Sequence, residues 1–190
     1  PVTRAQWENA IAGWPVAARY QGADRERLFD LTRRFLVRKE FAAGGEFTVT
    51  DEMQLLIATM AVVPVFGLGL DWYDGWYTLI VYEDTFVTPD NEMDEFGIVH
   101  DAGRELAGEA SLHAGMDPQR WHDVFTEAWQ ALERAEQGGE PFIDPYALED
   151  PGEFFAVATE SFFESPAHLR QVLPALYEQL SLFYRQDPGA

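Results

Sequence analysis

The sequence predicts an α+β fold, with helices packed on a small, reduced sheet. Three observations predict it. Apolar residues recur at helical spacing in the first and last thirds, the middle carries an aromatic and β-branched run, and Gly and Pro separate the blocks. A length of 190 residues with 47% hydrophobic side chains suits a single domain, read here as spanning residues 1–190, with enough apolar surface for a core. No internal repeat or low-complexity linker divides the chain.

In the first third, Leu28, Leu31, Phe35 and Leu36 fall on one helical face, with Asp24 as the expected N-cap. Gly44-Gly45 interrupts the pattern. Thr50 is placed to cap the next helix, with Asp51 and Glu52 in its favourable first turn and Met53, Leu56, Ile57 and Met60 facing inward. The apolar run from Leu55 to Leu70 contains Pro64, Gly67 and Gly69, and reads as a buried helix leading into a strand or loop, since a membrane span needs a longer unbroken stretch.

Trp76 to Tyr82 is aromatic and β-branched, lies between Asp74-Gly75 and Thr88-Pro89-Asp90, and reads as a strand. Shorter strands are expected over Phe96 to His100 and Arg104 to Ala107. Asp117-Pro118 is an N-cap and first-turn pair opening a helix that buries Trp121, Val124, Phe125, Ala128 and Leu132. Asp150-Pro151 opens another, with Phe154, Phe155, Val157, Ala158 and Phe162 along it. Ser165-Pro166 and Pro174 start the closing helices, which turn Leu176, Leu180 and Phe183 inward.

Thirteen basic residues against 33 acidic ones give a net charge of −20. So acidic a surface repels phosphate backbones and anionic lipid, so neither nucleic acid nor membrane is expected as a partner. There is no cysteine, which excludes disulfides, thiolate metal sites and cysteine nucleophiles and is compatible with a reducing cytoplasm. Pro1 to Gly13 shows no basic segment followed by an apolar one, so no signal peptide is read and the expected location is cytoplasmic.

The histidines are His100, His113, His122 and His168, and no two are four residues apart. An HExxH zinc site needs two imidazoles one helical turn apart with a glutamate between them as base, so the histidines read as surface or capping residues. Glu153 and Glu160 are seven apart on one helix face and could act as a metal ligand and its supporting partner, or as an acid/base pair. Asp150 to Glu153 also fits a capping box, in which Glu153 reaches back to the Asp150 amide, and Glu160 can simply face water. Tyr146 could donate its phenolic hydrogen to a developing oxyanion. Gly67-x-Gly69 lacks the context of a phosphate loop, and no serine sits in a nucleophile elbow.

The runs Leu70 to Trp76, Phe96 to His100, Leu106 to Ala110, Met116 to Trp121, Ile143 to Ala147, Glu153 to Glu160 and Phe183 to Pro188 together resemble the Mlc titration factor A (MtfA) family, bacterial zinc-dependent peptidases of the gluzincin type. The resemblance covers essentially the whole chain and implies a zincin-like fold. It also implies that Glu153 matches the third zinc ligand and Tyr146 an oxyanion-steadying tyrosine, with Glu160 a neighbouring position of unassigned role. A protein partner, a repressor of the Mlc type, is implied as well. One departure dominates. In the family a strand and the HExxH helix follow the Gly-Glu-Ala run, whereas here Gly108-Glu109-Ala110-Ser111 leads directly into Leu112-His113. The HExxH helix is therefore expected to be missing between Ser111 and Leu112, along with two zinc ligands and the general base. The expected protein is a pseudoenzyme that holds no zinc, binds another protein and self-associates to cover exposed apolar faces. The alternative is an active zinc-dependent (amino)peptidase whose HExxH segment is absent only from this chain as it stands.

Overall fold

The computed structural model describes residues 2–82 and 112–190, which fall in two compact units taken separately here. The expected second and third strands, Phe96 to His100 and Arg104 to Ala107, lie outside the described residues. The described residues form seven helices and a two-stranded sheet, the α+β class read from the sequence. None of these helices is long and apolar enough to cross a membrane.

In the first unit, α1 (Arg4–Ile11) is started by Thr3 and Gln6 in a reciprocal capping box. It packs on α3 (Asp51–Val65), as does α2 (Gly22–Arg38). Trp7 is fully buried, and its indole donates to Thr59 Oγ1 at 2.9 Å. The guanidinium groups of Arg4 and Arg25 lie 4.8 and 5.1 Å from its ring centroid.

Two sequence expectations need correction. Asp24 is not the N-cap of α2. That position is Gln21, and Asp24 sits in the first turn, where its charge favours the helix N-terminus without capping it. The inward face of α3 is Leu55, Ala58, Thr59, Val62, Val63 and Val65, whereas Met53, Leu56 and Ile57 are half-buried and Met60 is exposed. An almost wholly apolar helix carries no polar stripe to set its rotation. The rotation is fixed instead by a polar residue that points inward, because Thr59 meets the Trp7 indole.

The sheet is smaller than the sequence suggested in one place and larger in another. β2 (Thr78–Val81) is the core of the expected 76–82 strand. Its partner β1 (Glu40–Ala43) was not anticipated; the two run parallel with Glu40 opposite Thr78 and Ala43 opposite Val81. Between α3 and β2 the chain turns at Gly69, whose φ of 102° suits glycine, and passes through a short 3-10 turn, Leu70–Tyr73. Lys39, buried at the end of α2, donates to the carbonyls of Tyr73 and Trp76, and its ammonium lies 3.8 Å from the Trp76 ring centroid. This clamp holds the turn against β1.

In the second unit, α4 (Pro118–Gln137) buries Trp121, Val124, Phe125, Ala128 and Leu132, the residues read from the sequence. α5 (Pro151–Glu164) buries Phe154, Phe155, Ala158, Phe162 and Phe163, with Val157 only half-buried. α6 (Pro166–Val172) and α7 (Pro174–Tyr184) complete the unit, α7 turning in Leu176, Leu180 and Phe183. Trp121, Phe125, Phe155 and Phe183 form a continuous ring cluster with centroids 4.3 to 6.3 Å apart. After α7, Asp187 accepts from the Tyr177 hydroxyl at 2.5 Å, and the same oxygen of Tyr177 accepts from Gly189 N at 2.9 Å. A Cβ on Gly189 would stand 2.7 Å from that hydroxyl, so only glycine allows this approach.

Candidate functional site

Two capped turns bring the candidate residues together. Asp144 Oδ1 accepts from Tyr146 N at 3.0 Å and starts the 3-10 turn Pro145–Leu148. Asp150 Oδ1 accepts from Gly152 N at 2.6 Å and Glu153 N at 3.0 Å and starts α5. The turn packs on α5, which sets Tyr146 beside Glu153. Asp-Pro at the head of each turn explains why the sequence folds this way: the aspartate satisfies free amides, and proline needs no donor in the first turn.

Tyr146 is half-exposed and Glu153 half-buried. The Tyr146 phenol is held above its usual pKa, first by the charge of Glu153 and then by hydrogen bonding to that carboxylate, with smaller contributions from desolvation, Glu149 and Asp150. A tyrosine phenol is a donor at neutral pH without any shift, and here its hydrogen bond is made to the Glu153 carboxylate. The capping box expected between Asp150 and Glu153 is only half formed. Asp150 caps the helix, but Glu153 turns toward Tyr146 and does not reach back to the Asp150 amide. Glu160 is exposed and does not join this pair. Glu149, which the sequence did not single out, and the cap Asp150, read only as a helix start, also act on the phenol by their charges; their offsets of three and four residues from Tyr146 were the available signal.

The histidines stand elsewhere. His113 Nε2 donates to the Phe183 carbonyl at 2.9 Å, its ring stacked on Phe183, and His168 Nε2 donates to the Phe142 carbonyl at 2.8 Å. His122 is exposed on α4, and His100 lies outside the described residues. Among the described residues no three His, Asp or Glu side chains gather closely enough to hold a metal ion. The donors that accompany Glu153 here, a protonated phenol and further carboxylates, do not fit the set of two imidazoles and one carboxylate that the resemblance implies.

Comparison with known proteins bears on this arrangement. The profile of a family described as glucose-regulated metallo-peptidase M90 matches residues 1–115 and 110–185. The chain is similar to Mlc titration factor A of Serratia proteamaculans (strain 568), at 28% identity over 236 residues, covering 99% of this chain and 89% of the relative. It is likewise similar to Mlc titration factor A of Klebsiella pneumoniae subsp. pneumoniae, at 29% identity, covering 97% and 87%, and of Salmonella choleraesuis, at 28%, covering 96% and 86%. The 236 aligned positions of the first exceed the 190 residues of this chain by 46, so the relative carries at least that many residues with no counterpart here.

Proposed function

The chain belongs to the glucose-regulated metallo-peptidase M90 family, and we propose that it is a member without zinc-peptidase chemistry that acts by binding another protein. The observation that carries this reading is the histidine spacing: four histidines, none four residues from another. A catalytic zinc site takes three protein ligands and leaves the fourth place to water, and a single carboxylate does not substitute for that set. Without such a metal no hydroxide forms near neutral pH, and among the described residues no base is placed to activate water instead.

Two facts support a lost segment. The two family matches meet at residues 110–115, and the aligned relatives are longer. In this reading the strand and HExxH helix are missing between Ser111 and Leu112. Glu153 is then a zinc ligand without its companions, Tyr146 an oxyanion donor without a reaction, and Glu160 a surface residue of the same helix. The relatives are named for Mlc, and the partner in this reading is a repressor of the Mlc type.

The test uses protein purified from its native gene. A tryptic peptide running uninterrupted from Glu105 to Arg120, no stoichiometric zinc by elemental analysis, no cleavage of aminoacyl p-nitroanilides, and capture of an Mlc-type repressor are expected. Extra residues between Ser111 and Leu112, with one zinc per chain and metal-dependent cleavage, would overturn the proposal in favour of an active peptidase.

A further inference from the structure

We infer that the outer face of α2 is a self-association surface that receives the acidic part of a second copy of this chain. The inference goes beyond the reading above and holds whether or not the protein cleaves peptides. Charge is distributed very unevenly. Eight of the 13 basic residues lie in residues 1–39 against four of the 33 acidic ones, so that stretch carries +4 and residues 40–190 carry −24. Within residues 112–190 alone, 14 carboxylates face four arginines.

The positive stretch has a shaped surface. Asp30, Arg33, Arg34 and Val37 follow helical spacing along the solvent side of α2, and with Leu36 and Arg38 they line a groove of about 570 Å³. Val37 is 88% exposed. It gives the groove an open aliphatic side chain between the arginines. A second groove of about 340 Å³ shares Leu36 and Val2 and extends this surface toward Asp51 and Gln54. The arginines are only partly neutralised. Arg38 reaches Asp71 at 3.2 Å and Asp74 at 3.6 Å, Arg33 lies 5.6 Å from the Phe29 ring centroid, and Arg34 has no partner among the described residues. A cationic groove with an aliphatic centre suits a carboxylate-rich surface, and each copy of this chain supplies one.

Two molecules of charge −20 repel at long range. At about 0.1 M salt, however, the screening length is near 10 Å, shorter than the separation of two protein centres. Adding salt above that point acts on the contact itself. Association by complementary charge therefore weakens with salt, whereas apolar association of two acidic chains strengthens.

Sedimentation velocity over a range of concentrations, at 0.1 and 0.5 M NaCl, tests this on the full chain. The wild type is expected to associate at the lower salt, with its Kd rising about tenfold at the higher. The double variant Arg33→Glu/Arg34→Glu should be monomeric. Arg120→Glu/Arg134→Glu changes the net charge equally but lies on α4, outside the groove and within the acidic stretch, and should associate at least as tightly as the wild type. Val37→Ser, which leaves charge and core intact, should raise Kd about threefold to tenfold and decides the matter if the double variant fails to fold. A monomeric wild type, association strengthened by salt, or equal losses in the two charge-reversed variants would overturn the inference.

Discussion

Thr59 Oγ1 accepts a hydrogen bond from the Trp7 indole while its own hydroxyl donates to the Leu55 carbonyl at 2.7 Å, so one small side chain sets both the rotation of α3 and the seat of α1. Thr59→Val keeps the shape but strands a buried N–H, and is expected to cost about 1–3 kcal/mol in urea unfolding. Tyr73 offers a test by pH. Its hydroxyl donates to the Ala61 carbonyl at 2.8 Å, and burial raises its pKa from 10.0 to about 12. Below pH 10 both folded and unfolded states keep the proton and this group adds no pH dependence. Above it the unfolded chain ionises first, so stability falls until the folded pKa is reached, by roughly 2–3 kcal/mol. Comparing wild type with Tyr73→Phe between pH 9 and 12 isolates this effect, and equal slopes for the two would count against it. Sequence could nominate Glu153 by its spacing to Glu160, and Tyr146 with it by the resemblance. It could not show that Glu153 turns to the phenol and away from the cap, since spacing permits either.

At the scale of elements, what was legible followed from local chemistry. Asp117-Pro118 and Asp150-Pro151 begin α4 and α5 where the sequence placed them, and the buried face of α4 matched residue for residue because its polar and apolar residues alternate clearly with the helical period. β1 was missed because four residues, Glu-Phe-Ala-Ala, carry almost no strand signal; a parallel partner with residues between forms this strand, and periodicity cannot show such a partner. Helix start signals can be tested directly. Asp150→Ala removes both cap bonds of α5 and should lower stability by about 1 kcal/mol, visible as a lower midpoint in thermal unfolding. The core should be far less tolerant. Phe162, fully buried between Phe163, Tyr177 and Tyr184, should cost about 3–5 kcal/mol as Phe162→Ala, measured the same way.

For the whole molecule, the α+β class was readable because helical periodicity fills most of the chain while one short aromatic and β-branched run, at β2, breaks it, and the seven motif runs pointed to the family whose model the chain matches. The histidine arithmetic was readable too, since ligand spacing is a property of the sequence. The charge imbalance between the first 39 residues and the rest was equally countable, yet its meaning depends on Val37 and its arginine neighbours sharing one open face, which only the folded helix shows. A net charge of −20 also predicts a general response. Raising NaCl from 0.05 to 0.5 M should raise the melting temperature of the monomeric Arg33→Glu/Arg34→Glu variant by screening self-repulsion, and a fall would show that local ion pairs outweigh it.

Lys39 is the only lysine in the sequence, and it is 7% exposed, its ammonium enclosed by two carbonyls and the face of Trp76. Amine-directed reagents therefore meet a folded chain with no accessible side-chain target. Acylation at this one position becomes a timer for the opening of the Tyr73–Trp76 turn, and a single peptide in a mass spectrum reports it.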